Sequence, residues 1–120
     1  MKTRSIFRTI AALLVTTYAA RIYDKARKTA DKRHMKEKTT IYVIVDPMNI
    51  RGLATCSRKE FRRIKELLRR RTPSFSVSDM RRGAYYHTAD AGESHAMPDI
   101  DIRARRIAFI REMLVRAGLR

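Results

Sequence analysis

Residues 39–71 read TTIYVIVDPMNIRGLATCSRKEFRRIKELLRRR, and the fold turns on how this stretch is read. Ile41–Val45 is a run of β-branched and aromatic residues, the composition of a strand. Alternation sends Ile41, Val43 and Val45 to one face and Tyr42 and Ile44 to the other. Both sets are apolar, so the strand is expected to be covered on both sides. Asp46-Pro47 stops it, because proline cannot donate to a ladder. Asn49 and Gly52 tolerate turn geometry, and Leu53–Cys56 returns as a short second strand, giving a hairpin over 40–56. Ser57-Arg58-Lys59-Glu60 then spells a capping box, with the Ser57 hydroxyl on the Glu60 amide and the Glu60 carboxylate on the Ser57 amide.

The helix predicted over 58–71 carries Phe61, Ile64 and Leu68 at core spacing, with Leu67 beside them. Arg58, Arg62, Lys65 and Arg69 share a second face, flanked by Lys59, Arg63 and Arg70. Only Glu60 and Glu66 oppose them. A hydrophobic hairpin thus presents a cationic helix.

Upstream, a long helix is expected from about Arg4 into the early thirties, since no Gly or Pro precedes Pro47. Ile6, Phe7, Ile10, Leu13, Leu14, Tyr18 and Ile22 make its apolar side, and Arg8, Ala12, Thr16 and Ala19 the other. The start imitates a signal peptide, but Arg8 interrupts it and leaves Thr9–Ala20, 12 residues, uncharged. That is short of the ~20 needed to cross a bilayer, so no transmembrane span is expected. A basic-flanked amphipathic helix also fits a membrane interface, although alanine dilutes this face and tryptophan is absent. From Arg21 to Lys38 the segment turns polar, with Lys25, Lys28, Lys32 and Arg33 among its cations. It is either a solvated helix end or an arm that lies on phosphate.

Downstream, Arg71-Thr72-Pro73-Ser74 ends the second helix, and Ser78-Asp79 starts one helical turn. Ala84–Thr88 has strand composition, and Asp90–Pro98 reads as a loop. A last helix over 99–117 begins behind Pro98 with Asp99 and Asp101 in its first turn. Its expected stripe is Ile100, Ala104, Ile107, Ile110, Leu114 and Ala117, with Phe109 nearby and Arg103, Arg106, Arg111 and Arg116 in water. Gly118 is its natural C′ residue. The sum is an α+β fold, with an N-terminal helix and basic arm over 1–38 and a small domain over 39–120.

The chain has 120 residues, and 28 Lys and Arg against 12 Asp and Glu give a net charge of +16. A single domain with that field attracts polyanions, above all nucleic acid, or acidic protein subunits. Cys56 is the only cysteine. It excludes an intrachain disulfide, fits a reducing cytoplasmic setting, and reads as a small buried hydrophobe.

Catalytic signals are weak. His87 and His95 stand eight apart, a spacing that matches none of the short zinc motifs. Cys56 with His87 as base would need neighbouring strands. Phosphate-binding glycine motifs are missing, and Asp46 at a strand end has no matched second acid. Neither an enzyme nor a cofactor is implied. Tyr85-Tyr86-His87 gathers aromatics near bases. Alternation would leave at most one tyrosine free to stack on an unpaired base.

At YVIVDPMNIRGLATCSRKEFRRIKELLRR (42–70) and YYHTAD (85–90), the chain resembles small basic proteins encoded by tailed phages and prophages of gut bacteria. The resemblance covers about Ile41 to Asp90 and implies a virion component or a DNA-associated accessory protein. No functional residue is carried over from it.

The expected function is non-enzymatic binding of DNA or RNA backbone by Arg58, Arg62, Arg63, Lys65, Arg69 and Arg70, assisted by Lys25, Lys28, Lys32 and Arg33. Six neutralised phosphates would give a log–log salt slope near about −5. The alternative is a structural protein, oligomeric through Ile6, Ile10, Leu13, Leu14 and Tyr18.

Overall fold

The computed structural model describes residues 2–47, 49–67, 79–89 and 97–119. In chain order the elements are α1 (Lys2–Glu37), β1 (Tyr42–Asp46), β2 (Asn49–Cys56), α2 (Arg58–Leu67), α3 (Met80–Gly83), β3 (Tyr86–His87) and α4 (Asp99–Arg116). The architecture is α+β, as the sequence predicts. The sheet has the order β2-β1-β3, and both pairings are antiparallel. In register, Tyr42 faces Cys56 on one side and His87 on the other, and Val43 faces Thr55 and Tyr86. The second strand is longer than expected: β2 begins at Asn49, and an irregularity between Val45 and Asp46 lets Asp46 pair with Asn49.

Both faces of β1 are covered, which its two apolar sets require. Tyr42, Ile44 and Cys56 pack with Phe61, Met80 and Ala84 beneath α2 and α3. Ile41, Val43 and Tyr86 pack on the other side with Ala19, Tyr23, Ala26 and Ala30 of α1 and with Phe109 and Met113 of α4. Alanines let the α1 backbone approach the sheet closely, and Tyr23 fills the space between them. Its hydroxyl donates to the Tyr85 carbonyl at 2.7 Å, so the buried phenol is satisfied.

This corrects the sequence reading of α1. The core-facing side is the alanine side, and Ile6, Phe7, Ile10, Leu13, Leu14 and Tyr18 are exposed. The reason is length. Thirty-six helical residues span about 54 Å, whereas a five-residue strand spans about 17 Å, so the first half of α1 runs past the sheet. Residues 19–30 belong to the core, and the projecting part of the chain ends well before residue 38.

The stripe on α4 is also rotated from its expected place. Phe109 and Met113 are buried and Ile102 and Ile110 pack beside them, while Ile100 and Ile107 are exposed. Two arginines explain the rotation. Arg106 forms a two-pronged pair with Asp24 of α1 at 3.0 and 3.1 Å, and Arg105 donates to the carbonyls of Arg81 and Ala84. Arg106 and Arg116, expected in water, are thus engaged; Arg116 pairs with Glu112. Lys38, in left-handed geometry at φ 53°, ends α1 and turns the chain toward β1. Gly118, at φ 71°, ends α4 as predicted.

The Tyr23 contact generates a test. Burial pushes its phenol from 10.0 up to about 12, so stability is full below pH 10 and declines as pH rises toward 12. Tyr23→Phe should cost about 1–2 kcal/mol at neutral pH by stranding the Tyr85 carbonyl. It should also flatten the loss between pH 10 and 12, measured by urea unfolding.

Candidate functional site

The capping box forms as spelled. The Glu60 amide donates to the Ser57 hydroxyl at 3.2 Å, and the Ser57 amide donates to the Glu60 carboxylate at 2.9 Å. Phe61 then turns fully into the core, with Ile64 half-buried beside it. Burial of that side leaves Arg58, Lys59, Arg62 and Arg63 exposed on the opposite one, with Glu66 the single acid among them. Lys59, Arg62 and Arg63 form neither ion pair nor hydrogen bond among the described residues. The Arg58 guanidinium donates to the Tyr42 hydroxyl at 3.3 Å. Lys65 folds back, its ammonium 5.3 Å from the Phe61 ring centroid, half-buried as a cation–π contact. Arg69 and Arg70 lie outside the described residues.

The four candidates on α1 do not join this surface. The helix lies on the other side of the sheet, so Lys25, Lys28 and Lys32, all exposed, form a separate group. Arg33 belongs to neither group. Its Nε and Nη2 donate to Glu37 at 2.7 and 3.1 Å, Nη2 also donates to Glu60 at 2.6 Å, and Nη1 donates to the Thr55 carbonyl at 3.0 Å. It stitches α1 to the β2–α2 junction, so, unlike the three lysines, its guanidinium is already engaged within the fold. Sequence spacing shows the Arg33–Glu37 pair, but the reach to Glu60, 27 positions on, follows only from the packing of α1 across the sheet.

The remaining chemistry is mostly structural. Tyr86 is buried and donates to Asp31 at 2.6 Å, and Tyr85 meets the Phe109 ring edge-on at 5.3 Å between centroids. Both tyrosines face α1 and α4, because the chain bends at Tyr85 before β3 begins. The alternation expected there does not hold, and neither ring is free to stack on a base. Cys56 and His87 flank Tyr42 on opposite neighbours of β1, two strands apart at about 10 Å, so a thiol–imidazole pair is not formed. His34 meets the Thr39 carbonyl at 2.8 Å and the Thr88 hydroxyl at 3.2 Å. His95, Asp90 and Glu93 lie outside the described residues. Among the described residues, no three His, Cys, Asp or Glu gather closely enough to hold a metal.

Large apolar side chains gather on the outward side of α1. Phe7 and Leu14 are 67% exposed, and even the most shielded of the set, Ile10, is 49% exposed. Residues 5–37 contain a window apolar enough, by length and composition, for a membrane-crossing helix, and 6% of that window is buried.

Arg33→Ala should cost about 2 kcal/mol by chemical unfolding, whereas Lys28→Ala and Lys32→Ala should stay within about 0.5 kcal/mol of wild type. Burial alone would raise the Glu60 carboxyl, but the Ser57 amide and the Arg33 guanidinium outweigh it and hold it below its ordinary 4.5. The stability it contributes is present above that value and lost as pH falls through the depressed one. Glu60→Gln should therefore remove part of the acid-side decline. Burial pushes the Cys56 thiol up to about 12, so it should resist thiol reagents at pH 8 until the protein is unfolded. No family model, curated protein or solved structure matches the chain.

Proposed function

We propose that the protein is a non-enzymatic basic module that binds nucleic acid through phosphate contacts from the exposed side of α2. The observation that carries this reading is the row of Arg58, Lys59, Arg62 and Arg63 on a helix whose start is fixed by Ser57, Glu60 and Arg33. Cations held by a rigid element meet a regularly spaced backbone without ordering a flexible arm first. Three of the four have no partner to give up among the described residues. Because Asn49 is the chain's only Asn and Gln is absent, side chains suited to reading adenine are scarce, so sequence preference is weak. A small basic protein of a phage, DNA-associated or part of a virion, fits the same reading. A structural role through α1 would instead need its apolar face covered by protein.

Anisotropy of a labelled random duplex tests the proposal. Four neutralised phosphates give a slope of about −3.6 in log affinity against log salt, measured between about 50 and 200 mM. Arg62→Ala/Arg63→Ala should reduce the slope by about 1.8 without changing the fold, whereas Lys25→Ala/Lys28→Ala/Lys32→Ala should leave it in place. Absence of binding at the lowest salt refutes the reading.

A further inference from the structure

The α2 reading leaves one side of α1 unassigned. At 100° per residue, Ile6, Phe7, Ile10, Leu13, Leu14 and Tyr18 fall within an arc of about 140°. The centre of that arc lies about 180° from the side that buries Ala19, Tyr23, Ala26 and Ala30. Less than one turn beyond Tyr18, the same arc continues as Arg21, Lys25, Lys28 and Lys32. None of these four side chains has an ion pair or hydrogen bond among the described residues, and all four residues are exposed. Two acids, Asp24 and Asp31, share this arc, and both are occupied: Asp24 by Arg106, and Asp31 by the Tyr86 hydroxyl. Thr17, which also falls on the arc, donates its hydroxyl to the Leu13 carbonyl at 2.9 Å and so does not need water. One side of the helix is therefore apolar in its first half and, with four cations against two acids already engaged elsewhere, predominantly cationic in its second.

We propose that this side of α1 docks the protein on an anionic membrane surface. Its apolar half enters the boundary between headgroups and acyl chains, and its cationic half lies on the lipid phosphates. Charge complementarity selects lipid over a second copy of the chain. Parallel pairing of two α1 faces would set the four cations against their own kind. Antiparallel pairing centred near Ala12 would bring Arg21 to the partner helix's positive N-terminus, where the sequence has Lys2 and Arg4. A lipid phosphate layer meets the cations with opposite charge, and the acyl region meets the six apolar side chains. The helix lies on the membrane rather than crossing it. Tyr23 contacts Phe109, Asp24 pairs with Arg106, and Arg8 donates to the Gly118 carbonyl at 3.4 Å, so α4 runs antiparallel beside α1 almost to its start. Crossing would draw the arginines of α4 into hydrocarbon.

Vesicle flotation of the full chain tests this, with phosphatidylcholine alone or with roughly a third phosphatidylglycerol. Binding to the anionic vesicles is expected and should weaken as salt rises. Ile10→Glu/Leu14→Glu alters two exposed positions and should keep the wild-type circular dichroism. It should bind about a hundredfold more weakly, about tenfold for each large side chain kept out of lipid. Lys25→Ala/Lys28→Ala/Lys32→Ala should lose about fivefold per cation. Since the chain lacks tryptophan, Leu14→Trp gives a single reporter whose emission should move to the blue with anionic vesicles only. The proposal is overturned if wild type stays in solution with anionic vesicles, if Ile10→Glu/Leu14→Glu floats as wild type does, or if Leu14→Trp keeps aqueous emission. It is also overturned if sedimentation shows a lipid-free dimer that Ile10→Glu/Leu14→Glu dissolves. Loss of duplex binding with vesicle binding intact in the triple lysine variant would assign that side to nucleic acid and overturn it as well.

Discussion

Contact between the alanine side of α1 and one face of the sheet organises the molecule. Ala19, Ala26 and Ala30 permit a close helix–sheet approach, and Tyr23 locks its rotation by reaching the Tyr85 carbonyl. Once the rotation is set, everything on the far side of α1 must face outward, however apolar it is. The exposure of Ile6, Phe7, Ile10, Leu13, Leu14 and Tyr18 is the geometric price of that contact. The pairing of Asp24 with Arg106 belongs with it, since the same placement of α4 beside α1 buries Phe109 against Tyr23.

A sheet with both faces covered divides the positive charge of the chain. Exposed cations of α2 lie behind one face and those of α1 behind the other, so these two groups point apart. Glu60 joins the two sides. Its carboxylate is shared between the Ser57 amide and the Arg33 guanidinium, so one acid sets both the start of α2 and the seat of α1. Removing a cation from either exposed surface leaves this junction intact. Removing Arg33 does not.

How much of this was legible depended on whether the signal was local. The hairpin, the capping box and the C′ glycine are each written within a few residues, and each formed at its place. The third strand was found, but it is only Tyr86–His87, and the bend at Tyr85 undid the inferred alternation. Helix faces were read less well. On α1 the large residues outvoted Ala19, Ala26 and Ala30, although small side chains are what allow two elements to meet closely. On α4, Arg106 read as solvent-facing because its partner, Asp24, lies far away in sequence. The reach of Arg33 to Glu60 was hidden for the same reason, since Glu60 is 27 positions from it.

Arg33 has one more effect, through its hydrogen bond to the Thr55 carbonyl. Strand β2 is an outer strand, and an uncovered outer strand is a template on which further chains can add. With α1 running alongside and a guanidinium already on that carbonyl, cross-β growth from this end is obstructed. At the other margin, β3 offers only two residues. Runaway fibril formation is thus discouraged by the same arginine that holds the long helix down, even though five consecutive apolar residues, Ile41–Val45, sit at the heart of the sheet.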